Sequence, residues 1–223
     1  MSCTSENRTP AKEAQQGGKV VKVESILSLA PKLRIINDKG EIKVDSTMGS
    51  KENVLSYEKK NWKEWCVLHD KEEKGIHTVE VENTSFTGED GCELLWKLNL
   101  TPNTELELKQ RAGKIEGRGS LFDLKIQQAA GKLSWIDSDM PIQVEMAAGK
   151  VEWQALSWPK KQSSSIEVAA GSVLVKSPKN ATVVTKISNA IGKEKNEFEK
   201  SQKDFHKLEI EVATGKAQHI SIK

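Results

Sequence analysis

Few residues in this chain have the chemistry for catalysis or ligand binding, and their spacing limits what they could do. Asp137 and Asp139 stand two apart in the turn Ile136-Asp137-Ser138-Asp139-Met140. Paired carboxylates there could hold a cation or exchange a proton. Asp and Ser are also common turn formers, so a solvated turn is the favoured reading. Four histidines, His69, His77, His206 and His219, share no spacing. Lys114, Lys132, Lys150, Lys193 and Lys216 each follow a glycine. On neighbouring strands such lysines would lie about 4.8 Å apart. They could then form a ridge for an anionic glycan or lipid headgroups. The plainer reading is a solvated corner neutralised by Glu116 and Glu152, since like charges placed side by side are costly. Trp135 and Trp153 sit four residues past two of these glycines, with Trp158 nearby. Exposed, they would offer a platform for sugar rings, but their parity matches the core positions, which favours a buried stack. Trp62, Trp65 and Trp96 would cover the other end of that core.

Cysteines add a redox and an anchoring question. Cys66 and Cys92 could pair in an oxidising compartment, although two separate buried thiols is the preferred reading. Cys3 stands where a mature bacterial lipoprotein carries its lipidated cysteine, followed by a polar stretch, but an ordinary surface cysteine on that tail is the favoured reading. No nucleophile elbow, phosphate loop, dinucleotide fingerprint, HExxH or metal-ligand spacing occurs. The sequence therefore predicts no catalytic residue, no cofactor and no metal.

The elements that must position these residues are set by a repeat. Gly113, Gly131, Gly149, Gly171 and Gly215 each anchor a similar segment, and Gly40 anchors an earlier one. Counted from Gly149, apolar residues fall at Ile142, Val144, Met146, Val151 and Trp153. From Gly131 the same places hold Leu124, Ile126, Gln128, Leu133 and Trp135; from Gly40 they include Leu33, Ile35, Ile42 and Val44. This period-two alternation on both sides of a glycine is the mark of strands with one buried face. A glycine at the junction allows a bend or a close backbone approach that other residues resist. Anchors are spaced by 18 (113 to 131), 18 (131 to 149), 22 (149 to 171) and 44 (171 to 215). The last gap fits two turns of chain, with Gly192 as a degenerate anchor between them. Trp158-Pro159 and Ser177-Pro178 read as corner insertions. The charged run from Lys193 to Lys203 reads as an exposed loop or short helix. Between Gly40 and Gly113 the pattern predicts strands at Asn53 to Tyr57, Trp65 to His69, Ile76 to Asn83 and Glu93 to Leu100. These would be wider turns or antiparallel hairpins capping the repeat.

The sequence thus predicts an all-β fold, a parallel β-helix-like solenoid with irregular N-terminal strands. It also predicts a disordered N-terminal tether at 1–18 and one solenoid domain over 19–223. Composition fits a thin, elongated core: of 223 residues, 36% are hydrophobic and 5% aromatic. Charged residues are 30% but balance to a formal net charge of +2, which argues against a nucleic-acid partner. No apolar stretch reaches the roughly 18 residues of a membrane-spanning helix.

The opening unit Ile35-Ile36-Asn37-Asp38-Lys39-Gly40-Glu41-Ile42-Lys43-Val44, the strand from Leu98 to Leu106, and the serial Ala-Gly-Lys units resemble a known group. It is the bacterial adhesin-like group of auto-transporter head GIN domains and related toast-rack-type domains of unknown function. The resemblance covers about residues 20–223. Family corners usually read Gly-Asp or Gly-Ser, where this chain mostly reads Gly-Lys. The resemblance implies a right-handed parallel β-helix-like fold, an extracytoplasmic or membrane-associated setting in bacteria, and no catalytic residues. The function expected is a non-enzymatic structural or binding module of the cell envelope, with a glycan, lipid headgroups or another protein as partner. The alternatives are a self-assembling β-helical scaffold and, less favoured, a carbohydrate-active enzyme.

Overall fold

The computed structural model describes residues 8–16, 19–47, 49, 51–85, 91–198 and 205–222. Thirteen strands and no helix occur among them. The strands are β1 Arg8–Gln16, β2 Lys19–Ser28, β3 Lys32–Asp45, β4 Asn53–Lys60, β5 Cys66–Glu73, β6 Ile76–Asn83 and β7 Glu93–Asn99. They continue as β8 Glu105–Arg118, β9 Asp123–Ser138, β10 Ile142–Ala155, β11 Ser163–Pro178, β12 Val183–Asn196 and β13 His206–Ile222.

The long strands cannot be straight. In β10, Ile142, Val144 and Met146 are buried, and then the parity switches to Val151, Trp153 and Ala155. Both sets can face one core only if the chain turns between them, at Gly149, whose φ is 142°. Connection length says the same. Residues 139–141 join the end of β9 to the start of β10, a span of at most about 14 Å. A straight 16-residue β9 would be about 53 Å long. Since β10 starts beside the start of β9, with Ile142 opposite Leu124, β9 must double back.

Neighbouring bent strands lie parallel and in register. Leu106, Leu124, Ile142 and Ser164 begin the aligned inward rows, and the glycines partner one another directly. The order is β1-β2-β4-β7-β3-β8-β9-β10-β11-β13-β12, and the sheet does not close on itself. Beyond β3 the pattern splits. Lys32–Ile36 pairs with β6, whereas Lys39–Asp45 pairs with β7, so two short strands replace one bent strand. β5 pairs antiparallel outside β6, and β4 antiparallel outside β7. The antiparallel N-terminal strands thus agree with the sequence reading.

Three expectations are corrected. First, Gly192 does not lie between Gly171 and Gly215: Gly215 stacks directly on Gly171, and Gly192 stacks outside Gly215. The reason is burial. β13 has apolar residues in both halves (Leu208, Ile210, Val212, Ala217), whereas the second half of β12 is exposed and charged, so β13 takes the interior and β12 the edge. Second, Lys193–Asn196 is strand rather than loop or helix. Third, Arg8–Gln16 within the expected tether forms β1, whose backbone pairs antiparallel with β2. Residues 1–7, including Cys3, and 17–18 lie outside the described residues.

Tryptophans fill the core as their parity required. The rings of Trp135 and Trp153 stack at 5.5 Å and 12°, both essentially inaccessible to solvent. In β8 the same inward place holds Gly117, where a Cβ would enter the Trp135 ring. Trp96 is buried against Tyr57, and Trp62 and Trp65 pack partly buried on the core.

Candidate functional site

The corner column is the feature around which every other surface is arranged. From Leu94 it runs Gly40, Gly113, Gly131, Gly149, Gly171, Gly215, Gly192. A Cβ on Gly131 would collide with the carbonyl oxygen of Gly113, and one on Gly149 with that of Gly131. Three of these carbonyls receive a side-chain amide from the residue three before the next glycine. Gln110 Nε2 donates to Gly40 O (3.1 Å), Gln128 Nε2 to Gly113 O (3.0 Å) and Asn189 Nδ2 to Gly215 O (3.2 Å). Asn37 holds the same place before Gly40; it donates to Lys39 O and accepts from Trp96 Nε1. Sequence reasoning noted Gln128 in an apolar row but missed this role. The signal was there: an amide at an inward-facing position three before a glycine.

On one flank of the corner runs the lysine row. Glu41, Lys114, Lys132, Lys150, Ser172, Lys216 and Lys193 are successive partners. Lys114 ion-pairs with Glu41 (3.4 Å) and Glu116 (2.5 Å), and the bond to Glu116 holds the ammonium above its ordinary range. Lys132 and Lys150 converge on Glu152 (3.5 and 2.6 Å), whose carboxyl is held below its ordinary value by the hydrogen bond from Lys150. Lys193 and Lys216 carry no ion pair among the described residues.

On the other flank lies a long groove of about 890 Å³. It is lined by Ala129, Ala147, Ala169 and Ala213 and by Gln127, Glu145, Glu167 and Glu211. The last three are direct neighbours in register. Gln127 Nε2 donates to Glu145 at 2.8 Å. At one end Asp38 accepts from the Cys92 amide (2.8 Å) and from Arg111. Burial pushes the Asp38 carboxyl up, but these bonds and the Arg111 charge outweigh it and hold it below the carboxylate range.

A second groove, of about 410 Å³, crosses the outer faces of β7, β3, β8 and β9. Val44 and Leu98 turn their side chains to the core, so their backbone lines the groove between Lys43, Lys97, Asn99 and Arg118.

The residues considered for catalysis are tied elsewhere. Asp137 pairs with Arg118 at 2.9 Å, and the Asp139 amide donates to Ser120. His69 contacts Glu82, and His77 contacts Asp70, within the β5–β6 hairpin. His206 and His219 are fully buried. His206 Nδ1 donates to Pro159 O, leaving Nε2 to accept from Ser164, whose oxygen accepts the Ile142 amide. His219 bridges Ser177 (2.7 Å) and Thr185 (2.6 Å), stacks on Phe198, and takes its place in a chain with Trp158 Nε1, which donates to Ser177. Burial pushes the His219 pKa down to about 3, against a small opposing pull from Glu197. Cys66 and Cys92 form a disulfide, Cα to Cα 5.6 Å, correcting the reading as separate thiols. They are brought together because the β5–β6 hairpin folds back onto the start of β7.

No family model matches the sequence, and no curated protein matches it either. The chain is similar to solved structures. One is a protein named for cell adhesion from Clostridium sporogenes, 13% identical, covering 91% of this chain and 100% of that one, TM-score 0.46. Another is a protein named for lipid binding from Parabacteroides distasonis, 11% identical, covering 93% and 98%, TM-score 0.39. A third is named as an adhesin, from Parabacteroides merdae, 10% identical, covering 92% and 97%, TM-score 0.39.

Proposed function

We propose that this chain is a non-enzymatic structural or binding module of the bacterial cell envelope, built as a right-handed parallel β-helix-like solenoid over 19–223. The observation that carries the reading is the in-register glycine column flanked by two long surface rows. Such a stack presents side chains at a fixed repeat of about 4.8 Å, suited to an extended partner. Its buried Ser164, Ser177, Thr185, Gln110, Gln128, His206 and His219 hydrogen-bond to one another or to the backbone at corners and loops, which supports a structural rather than a catalytic role for them. The disulfide supports an extracytoplasmic compartment, because such bonds persist where thiols are oxidised. Partners consistent with the surface rows are an envelope glycan, lipid headgroups or another protein, met through Lys114, Lys132, Lys150 and Lys216. Cys3 would serve as a lipid anchor.

Mass spectrometry of the protein from its native host, with fractionation, tests this reading. A Cys66–Cys92 bridged peptide, an acylated Cys3 and recovery in the membrane fraction are expected. A reduced chain with a free N-terminus in the cytosol would overturn the envelope assignment. The scaffold alternative draws on the outer edge of β12, which pairs with no other strand among the described residues, and on Ile191 exposed there. Lys186, Lys193 and Lys195 on that strand act against edge pairing. Filaments growing with protein concentration would favour the scaffold instead.

A further inference from the structure

We infer that the outer face of β11, β13 and β12 beyond the glycine corner docks on an anionic lipid bilayer surface. This inference rests on the binding-module reading and narrows its surface to the unpaired lysines. The lysine row beside the corner is not uniform. In its first half every ammonium has a carboxylate: Lys114 has Glu41 and Glu116, and Lys132 and Lys150 share Glu152. In its second half Ser172, Lys216 and Lys193 are direct partners, and neither lysine makes an ion pair among the described residues. Lys176, further along β11 on the same face, makes none among them either. The neighbours of like parity are Leu174, Gln218 and Ile220, with Lys195 on β12. Lys195 is bound to Glu197 at 2.6 Å, and Glu197 also accepts from Ser221. Glu194 partners the buried Ala217 and so belongs to the opposite face. On the neighbouring β10 the outward carboxylate is Glu152, already shared by Lys132 and Lys150. Lys193 and Lys216 thus stand side by side, which is unfavourable unless an anion meets them.

Apolar side chains on the same face separate a bilayer from a soluble polyanion. Leu174 and Ile220 are half-buried among the lysines, and Ile191, at the corner beside Lys193, is 69% exposed. A hydrated anionic glycan leaves such groups wet. The interfacial layer of a bilayer takes up apolar side chains while lysine ammoniums reach the headgroup phosphates. Shape agrees. Lys176, Lys193 and Lys216 line neither groove, and three parallel strands paired in register present a broad face rather than a cleft. The pull of an anionic surface on a lysine fades within a Debye length, about 8 Å at physiological salt. Lys114 lies four strand steps from Lys216 along the row, about 19 Å, and its charge is already matched. It takes no part in this contact.

The test is co-sedimentation of the full chain, unacylated at Cys3, with vesicles of phosphatidylglycerol and phosphatidylcholine, beside vesicles of phosphatidylcholine alone. Saturable binding to the anionic vesicles only, weakening as salt rises, is expected. Lys193→Gln and Lys216→Gln should each weaken it about fivefold, and Ile191→Ser about threefold. All three side chains are exposed, so these variants should keep the wild-type unfolding midpoint. Lys114→Gln should leave binding within about twofold of wild type. No binding to the anionic vesicles, equal binding to the neutral ones, or a loss from Lys114→Gln as large as that from Lys216→Gln would overturn the inference. Tighter binding to soluble polygalacturonate than to the anionic vesicles would make the face a glycan site and also overturn it. These outcomes leave the envelope assignment standing, since that depends on fractionation of the native protein and not on vesicle binding.

Discussion

The carboxamide nitrogen of Gln128 lies 3.0 Å from the carbonyl oxygen of Gly113 and 3.0 Å from Oε1 of Gln110, both on the preceding strand. Gln110 in turn donates to Gly40 O. A chain that bends sharply at a glycine takes that carbonyl out of the regular ladder, and the amide supplies the missing donor. Truncating Gln128 leaves two buried acceptors short of a bond and opens a cavity. Gln128→Ala should cost about 2–3 kcal/mol in urea unfolding. Gln127→Ala, one residue away on the outer face, should stay within about 0.5 kcal/mol. Equal losses at the two positions would show that the corner amide has no special role.

Corner glycines and turn glycines should separate cleanly. Gly149 and Gly75 both have positive φ, 142° and 75°. Around Gly75 a Cβ meets nothing, whereas at Gly149 it meets the Gly131 carbonyl. Gly75→Ala should therefore cost only the backbone preference, about 1–2 kcal/mol. Gly149→Ala adds a collision between two backbones that cannot separate without breaking register, and should give little soluble protein. Comparable expression and unfolding midpoints for both variants would contradict this account.

Much of this was legible in the sequence because alternation around a glycine is a local signal. The bent strands from Gly113 to Gly171 and the buried Trp135–Trp153 pair follow from residue parity alone. The order of the last two strands does not. Leu208 to Ala217 and Val183 to Gly192 carry the same anchor, and only the charged second half of β12 marks it as an edge. The Cys66–Cys92 bond was equally hidden, since it depends on a hairpin folding back over 26 residues. The Lys43–Lys97 groove needs β7 placed beside β3, although β4, β5 and β6 intervene in sequence. No pattern within either strand encodes that contact.

Stability should fall as the medium is acidified, beginning near neutrality. His219 has its folded pKa depressed to about 3, and burial also lowers that of His206. Below the ordinary imidazole value near 6.5, the unfolded chain binds protons that the folded chain refuses. The histidine contribution is thus fully present above that value and is lost as pH drops toward the folded pKa. Each such group gives a slope of up to about 1.4 kcal/mol per pH unit. Asp38 and Glu107, both held below the carboxylate range, add losses of the same sign at lower pH. Urea midpoints at pH 7.5, 6 and 4.5 should therefore decline in order. His219→Gln, less stable at pH 7.5, should show a shallower decline; an unchanged slope would remove His219 as a source.

Breaking the disulfide should loosen one end of the molecule and spare the other. The bond ties the start of β5 to the residue before β7, closing a loop with a sequence separation of 26 residues. Chain-entropy arguments give such a closure about 3.5 kcal/mol. No bent strand spans that level of the sheet: β6 and β7 each cover half of β3 and are joined by residues 84–92. The disulfide therefore does there what a continuous backbone does elsewhere. Strands that contact only their neighbours transmit little of this loss along the stack. With Cys66→Ala and Cys92→Ala together, hydrogen exchange should quicken through β5, β6 and β7. Protection in β10, β11 and β13 should remain at the wild-type level. A uniform loss across all strands would mean that the molecule unfolds as a single cooperative unit, with the disulfide stabilising the whole rather than its N-terminal end.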